Sequence, residues 1–81
     1  MKILKYREKF LQLDQLIRLK ATGTPYKLAI KMNVCESTLY NLLNIMRELA
    51  NEQNAEIIFD TNSENYYYSK YVRFYFGFRL L

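Results

Sequence analysis

The stretch from Thr24 to Ala50, TPYKLAIKMNVCESTLYNLLNIMRELA, constrains the fold of this chain more than any other. Thr24 suits an N-cap, and Pro25 suits the first helical position, where a missing N–H is no loss. Leu28, Ala29 and Met32 recur at helical spacing, which predicts a helix over 25–32, and small Ala29 lets a second helix cross close by. Asn33 tolerates the left-handed conformation in which a helix ends and turns sharply, and Val34 can plug the gap between the two helices. A second helix is predicted over 36–51. At 100° per residue, Leu39, Leu42, Leu43, Met46, Leu49 and Ala50 share one wide face, and Ser37, Asn41, Asn44 and Glu48 share the opposite one. Such a pair is either a plain antiparallel hairpin of helices or a helix-turn-helix, whose second helix lies in the major groove of DNA. The short first helix and the tight turn favour the second form.

Before this pair, Tyr6, Phe10, Leu13, Leu16 and Ile17 fall on one helical face, predicting an amphipathic helix over about 3–21 that Thr22 and Gly23 terminate. Leu4 and Leu11 lie nearly opposite that stripe and are read as scattered surface residues rather than a dimer seam. After Asn51 the chain changes character. Glu56-Ile57-Ile58-Phe59 favours a strand over 56–60, the polar run 60–65 favours a turn, and Tyr66-Tyr67-Tyr68 favours a second strand over 66–69. A third strand is expected over 71–79. In strand alternation Val72, Phe74, Phe76, Phe78 and Leu80 point one way, and Tyr71, Arg73, Tyr75 and Arg79 point the other. So apolar a face must cover the domain's own core or pair with a second copy. The expected architecture is α+β: one domain over 1–81 with three helices, a β-hairpin and an extra aromatic C-terminal strand.

With 81 residues, 51% of them hydrophobic and only two Gly and one Pro, the chain can bury one small core, a size at which dimerisation is a common supplement. Cys35 is the single cysteine, which excludes an internal disulfide and fits a reducing cytoplasm. No apolar run approaches a membrane span, and MKILKYREKF lacks the uninterrupted apolar region of a signal peptide. An enzyme is not expected: the chain has no His, no glycine-rich phosphate loop and no carboxylate or Cys cluster at ligand spacing, so no metal or other cofactor is expected either.

The net charge of +4 suits a polyanionic partner, but it is unevenly spread. Residues 1–22 carry +4, 23–52 are neutral, 53–65 carry −3 and 66–81 carry +3. The segment that would read DNA is therefore not itself basic.

TPYKLAIKMNVCESTLYNLLNIMRELA, followed by AEIIFD and NYYYSK, resembles the N-terminal winged helix-turn-helix of DeoR-type and WYL-domain-associated bacterial regulators. It is similar above all to small stand-alone helix-turn-helix proteins of Bacteroidetes, over roughly residues 10–70. The resemblance implies a sequence-specific double-stranded-DNA-binding transcriptional regulator whose recognition helix begins just after Val34. Carried over by position, Ser37, Thr38, Tyr40, Asn41 and Asn44 would approach DNA, behind Glu36 at the leading turn. Lys27, Lys31 and Arg47, with Lys70 further along, are the available phosphate donors. Cys35 stands where the pattern has Ser, and Asn41 stands where it has Arg, which weakens the helix cap and removes one basic contact. Few phosphate contacts per copy favour a homodimer on paired half-sites, with no small-molecule effector implied. A reading of another class remains beside it: a winged-helix scaffold that has lost its basic groove and serves as a protein-interaction or dimerisation module.

Overall fold

The computed structural model describes residues 6–75 of the chain. Over these residues the fold is α+β, with three helices followed by a two-stranded antiparallel hairpin. The elements in order are α1 (Arg7–Arg18), α2 (Pro25–Met32), α3 (Glu36–Asn51), β1 (Ile57–Asp60) and β2 (Asn65–Tyr68). The core is built from every element. Phe10, Leu13 and Ile17 come from α1, Leu28, Ala29 and Met32 from α2, Leu39, Leu42, Leu43 and Met46 from α3, and Ile57 and Tyr66 from the hairpin.

Helices α2 and α3 keep the bounds expected of them, and Thr24 caps α2 by accepting from the Lys27 N–H. All three helices end in the same way. Residues Lys20, Asn33 and Asn54 adopt positive φ of 53°, 55° and 57°. The N–H of the next residue, Ala21, Val34 or Ala55, then donates back five residues to Leu16, Ala29 or Ala50, each at 3.0 Å. This is the Schellman arrangement, which satisfies carbonyls that a helix end otherwise leaves open. Asn33 was expected in this role, but α1 stops three residues short of its expected end because Lys20, not Thr22 or Gly23, takes the left-handed position. The expected start of α1 at residues 3–5, with Leu4, lies outside the described residues.

Freed from capping, Thr22 and Gly23 close the outer edge of the hairpin. Buried Thr22 accepts from the Tyr66 N–H at 2.8 Å and donates to the Gly23 carbonyl, while the Gly23 N–H donates to Asn65 Oδ1 at 2.8 Å. Within the hairpin Phe59 faces Tyr66 across the ladder, and their rings meet edge-on at 5.0 Å, a geometry aromatic pairs prefer.

Two expectations fail. Leu49 is 38% exposed and Ala50 only half-buried, although both share the apolar face of α3. Helix α2 has eight residues against the sixteen of α3, so it can cover only half of that face. The third strand is not formed over 71–75, and 76–79 lie outside the described residues. The alternation survives without the strand: Val72 and Phe74 are half-buried, and Tyr71, Arg73 and Tyr75 are exposed. The Phe74 N–H is not on a ladder but donates to Asp14 Oδ1 at 3.0 Å, and its ring packs 6.1 Å from Phe10.

Asp14 is the polar centre of this region and is 1% exposed. Besides Phe74, it accepts from the Tyr68 hydroxyl at 2.6 Å and from Arg18 Nε at 2.8 Å. Burial, then the hydrogen bond to Asp14, pushes the Tyr68 phenol well above its ordinary value of 10.0. Folded Tyr68 thus holds its proton where an unfolded tyrosine loses it, so this contribution to stability is complete below about pH 10 and declines as pH rises beyond. Tyr68→Phe should cost about 1.5 kcal/mol in urea unfolding at neutral pH and flatten the alkaline decline. Asp14→Ala, which strands three donors, should cost about 3 kcal/mol.

Candidate nucleic-acid interface

Helix α3 carries the candidate reading face because its other side is consumed by the core. Leu39, Leu42 and Leu43 are fully buried and Met46 is 2% exposed, while Ser37, Tyr40, Asn41, Asn44 and Arg47 are all exposed. Tyr40 is 44% exposed, the large aromatic side chain on this face. Thr38 is half-buried, which sets it at the flank of the face rather than on it.

At the leading end, Cys35 occupies the N-cap in an extended conformation, but its side chain makes no capping bond to the helix backbone. Its Sγ lies instead 3.2 Å from Ser37 Oγ and 3.1 Å from Thr38 Oγ1. The Ser37 hydroxyl, then that of Thr38, lower the exposed thiol from 9.0 to about 7. The hydroxyls of Ser37 and Thr38 can each donate or accept, which suits base edges and phosphate oxygens alike.

The basic residues expected to grip phosphate are exposed but separated. Arg47 lines a recess between α3 and β1 with Asn51, Glu56 and Ile57. Its charge and the Tyr40 phenol both act on nearby Tyr66, whose own phenol is raised chiefly by burial. Arg47 and Tyr40 therefore mark the hairpin side of α3. Lys27 and Lys31 line a cleft with the hairpin loop residues Asn62, Ser63 and Glu64. Lys31 Nζ also donates to the Ala21 carbonyl at 2.6 Å, so this lysine braces α2 against the preceding turn.

The loop itself is acidic by construction. Asp60 accepts from the Asn62 N–H at 3.0 Å and the Ser63 hydroxyl at 2.9 Å, and these bonds keep its carboxyl below the ordinary 3.8. An Asp that folds its own turn cannot be exchanged for a base without loosening the loop.

Two roles escaped the sequence. Lys9 Nζ donates to the Met32 carbonyl and Gln12 Nε2 to that of Lys31, so α1 side chains satisfy the C-terminal carbonyls of α2. Lys20 stands 5.9 Å above the Tyr67 ring and acts on Asp60, which adds a cation beside the hairpin. Neither has a local signal, because each depends on how α1 lies against a distant element.

No family model matches the chain, and no curated protein or solved structure matches it. Among the described residues no helix is long and apolar enough to cross a membrane, and no group of three or more His, Cys, Asp or Glu is gathered as for a metal ion.

Alkylation of Cys35 by iodoacetamide should follow a titration with a midpoint near pH 7. Ser37→Ala should move that midpoint up towards 9.0, measured as adduct formation by mass spectrometry across a pH series.

Proposed function

We propose that this protein is a winged helix-turn-helix transcriptional regulator that binds double-stranded DNA sequence-specifically as a homodimer, with α3 in the major groove. The observation that carries the reading is the division of α3: four apolar residues sealed in the core, and Ser37, Tyr40, Asn41 and Asn44 turned together to solvent. These side chains have the chemistry of base and backbone contact. Asn41 and Asn44 can each donate to and accept from an adenine edge, and the Tyr40 hydroxyl suits a phosphate oxygen. The hairpin stands as the wing, with Lys27 and Lys31 beside its tip.

Charge sets the strength of the interaction. Helix α3 and its cap carry Glu36, Glu48 and Glu52 against Arg47 alone, so one copy neutralises few phosphates, and two copies on one site double that number. A reducing cytoplasm is the setting that suits the exposed Cys35 thiol.

A second reading, a protein-interaction module, draws support from α2. Its outer face shows Tyr26 and Ile30 at 64% and 61% exposure, more apolar surface than a phosphate-facing helix needs.

A mobility shift on genomic fragments, followed by site selection from randomised DNA, tests the first reading. Asn41→Ala should weaken the selected site by about 1–3 kcal/mol and relax its preference at one position. Lys27→Ala should weaken all sequences alike and reduce the salt slope by about one. No retardation of any fragment at about 50 mM salt would favour the interaction module.

A further inference from the structure

Two stretches distant in sequence, the end of α1 and the segment that follows β2, close a recess of ≈ 330 Å³ beside the hairpin. Tyr66 turns into the core and Tyr68 to Asp14, so Tyr67 between them turns outward and lines the recess. Arg18, Lys20 and Lys70 line it too, all three exposed, together with Tyr71, which projects wholly into solvent at 110% of its reference exposure. Among the described residues no Asp or Glu lines it. Arg18 gives only its Nε to buried Asp14, and its side chain remains 30% exposed. Lys20 stands 5.9 Å over the Tyr67 ring, a weak hold on an exposed amine, and also acts on Asp60. The alternation of ring and cation continues past the recess, where Arg73 stands 5.4 Å over Tyr75 and both are exposed. It stops at the groove that Arg73 shares with Glu52.

We propose that this recess binds single-stranded nucleic acid, with Lys20, Lys70 and Arg18 on its phosphates and an unpaired base stacked on Tyr71. Cations alone fit any polyanion. The rings narrow the choice. An acidic peptide would meet the lysines and leave Tyr71 idle, and a duplex covers the faces of its bases with their neighbours. An unpaired base instead offers a π-face to any exposed ring. A free nucleotide needs a pocket that encloses it, and Tyr71 stands clear of the surface.

The recess is separate from the candidate reading face. No residue of α3 lines it, and Val72, where it adjoins the neighbouring groove, meets α3 at Met46, Leu49 and Ala50, beyond Ser37, Asn41 and Asn44. Single-strand binding here neither needs nor excludes a duplex on α3.

The test is fluorescence anisotropy of the full chain with a labelled, unstructured DNA strand about 15 nucleotides long, beside the same strand annealed to its complement. Tyr71→Ala should weaken single-strand binding about 5- to 150-fold, the loss of one stacked base, without changing its salt dependence, and Tyr71→Phe should bind as the wild type does. Lys20→Asn and Lys70→Ala should each reduce the slope of log affinity against log salt by about 0.7. Asparagine suits the left-handed backbone at residue 20, and circular dichroism checks that each variant folds. No binding of the strand at about 50 mM salt would overturn the proposal, as would an affinity that Tyr71→Ala leaves intact. A Tyr71→Ala effect as large on the duplex as on the strand would also overturn it, because the ring would then not be reading an open base. Displacement by polyglutamate as readily as by unlabelled strand would do so too, and would make the recess a docking site for an acidic protein. Asn41→Ala, which tests α3, should leave strand binding unchanged, so the two sites succeed or fail separately.

Discussion

The fold turns on the carboxylate of Asp14, a charged group set at the centre of an α1 face that otherwise reads as apolar. One carboxylate holds three parts of the chain: its own helix through Arg18, the end of β2 through the Tyr68 hydroxyl, and the C-terminal segment through the Phe74 N–H. A buried carboxylate is costly unless its oxygens are satisfied, and here both are. The same contacts give the segment after β2 a fixed path. Without them Val72 and Phe74 would have no reason to lie along α1 and α3 instead of extending into water or adding to the sheet.

This arrangement explains how much could be read from the sequence and where reading stopped. The bounds of α2 and α3 were legible because their signals are local: Thr24-Pro25 to start, Asn33 to turn, and leucines every third or fourth residue. The hairpin was legible for the same reason, in AEIIFD and NYYYS around a polar loop. The end of α1 was not, since nothing about Lys20 announces a left-handed residue, and Gly23 was the more natural terminator. Nor was the role of Asp14, because its partners lie 54 and 60 residues away along the chain. The aromatic alternation after Lys70 was real, but alternation records only which side chains are covered; it does not say whether the cover is a neighbouring strand or a helix. At the candidate interface, exposure of Ser37, Asn41 and Asn44 followed from periodicity, whereas Tyr40 was placed there by the resemblance. The turning of Ser37 and Thr38 towards Cys35, and the bracing of α2 by Lys31, needed the folded arrangement.

If α3 reads DNA as proposed, it does so with neutral hydrogen-bonding groups: Ser37, Tyr40, Asn41 and Asn44 are the exposed side chains of that face. Amide and hydroxyl contacts discriminate among bases well but attract a polyanion poorly. The cations that do exist stand off to the sides: Arg47 by β1, Lys27 and Lys31 by the hairpin loop, Lys20 over Tyr67. Such a distribution frames a face without flooding it with charge, which under the proposed function favours dependence on sequence over affinity for any duplex.

The bond from the Tyr66 N–H to Thr22 has a bearing on how the hairpin behaves in company. It fixes which residues of the ladder face each other's backbone and which face away: the Ser69 N–H donates to the Glu56 carbonyl and the Glu56 N–H to the Ser69 hydroxyl, so by alternation Ile57 and Phe59 turn their amides and carbonyls off the far side of β1. One margin of this two-stranded ribbon is therefore stoppered by a buried hydroxyl, and the other runs beside α3, where Arg47 and Asn51 share a recess with Glu56 and Ile57 and leave no open edge at that end for an alien strand.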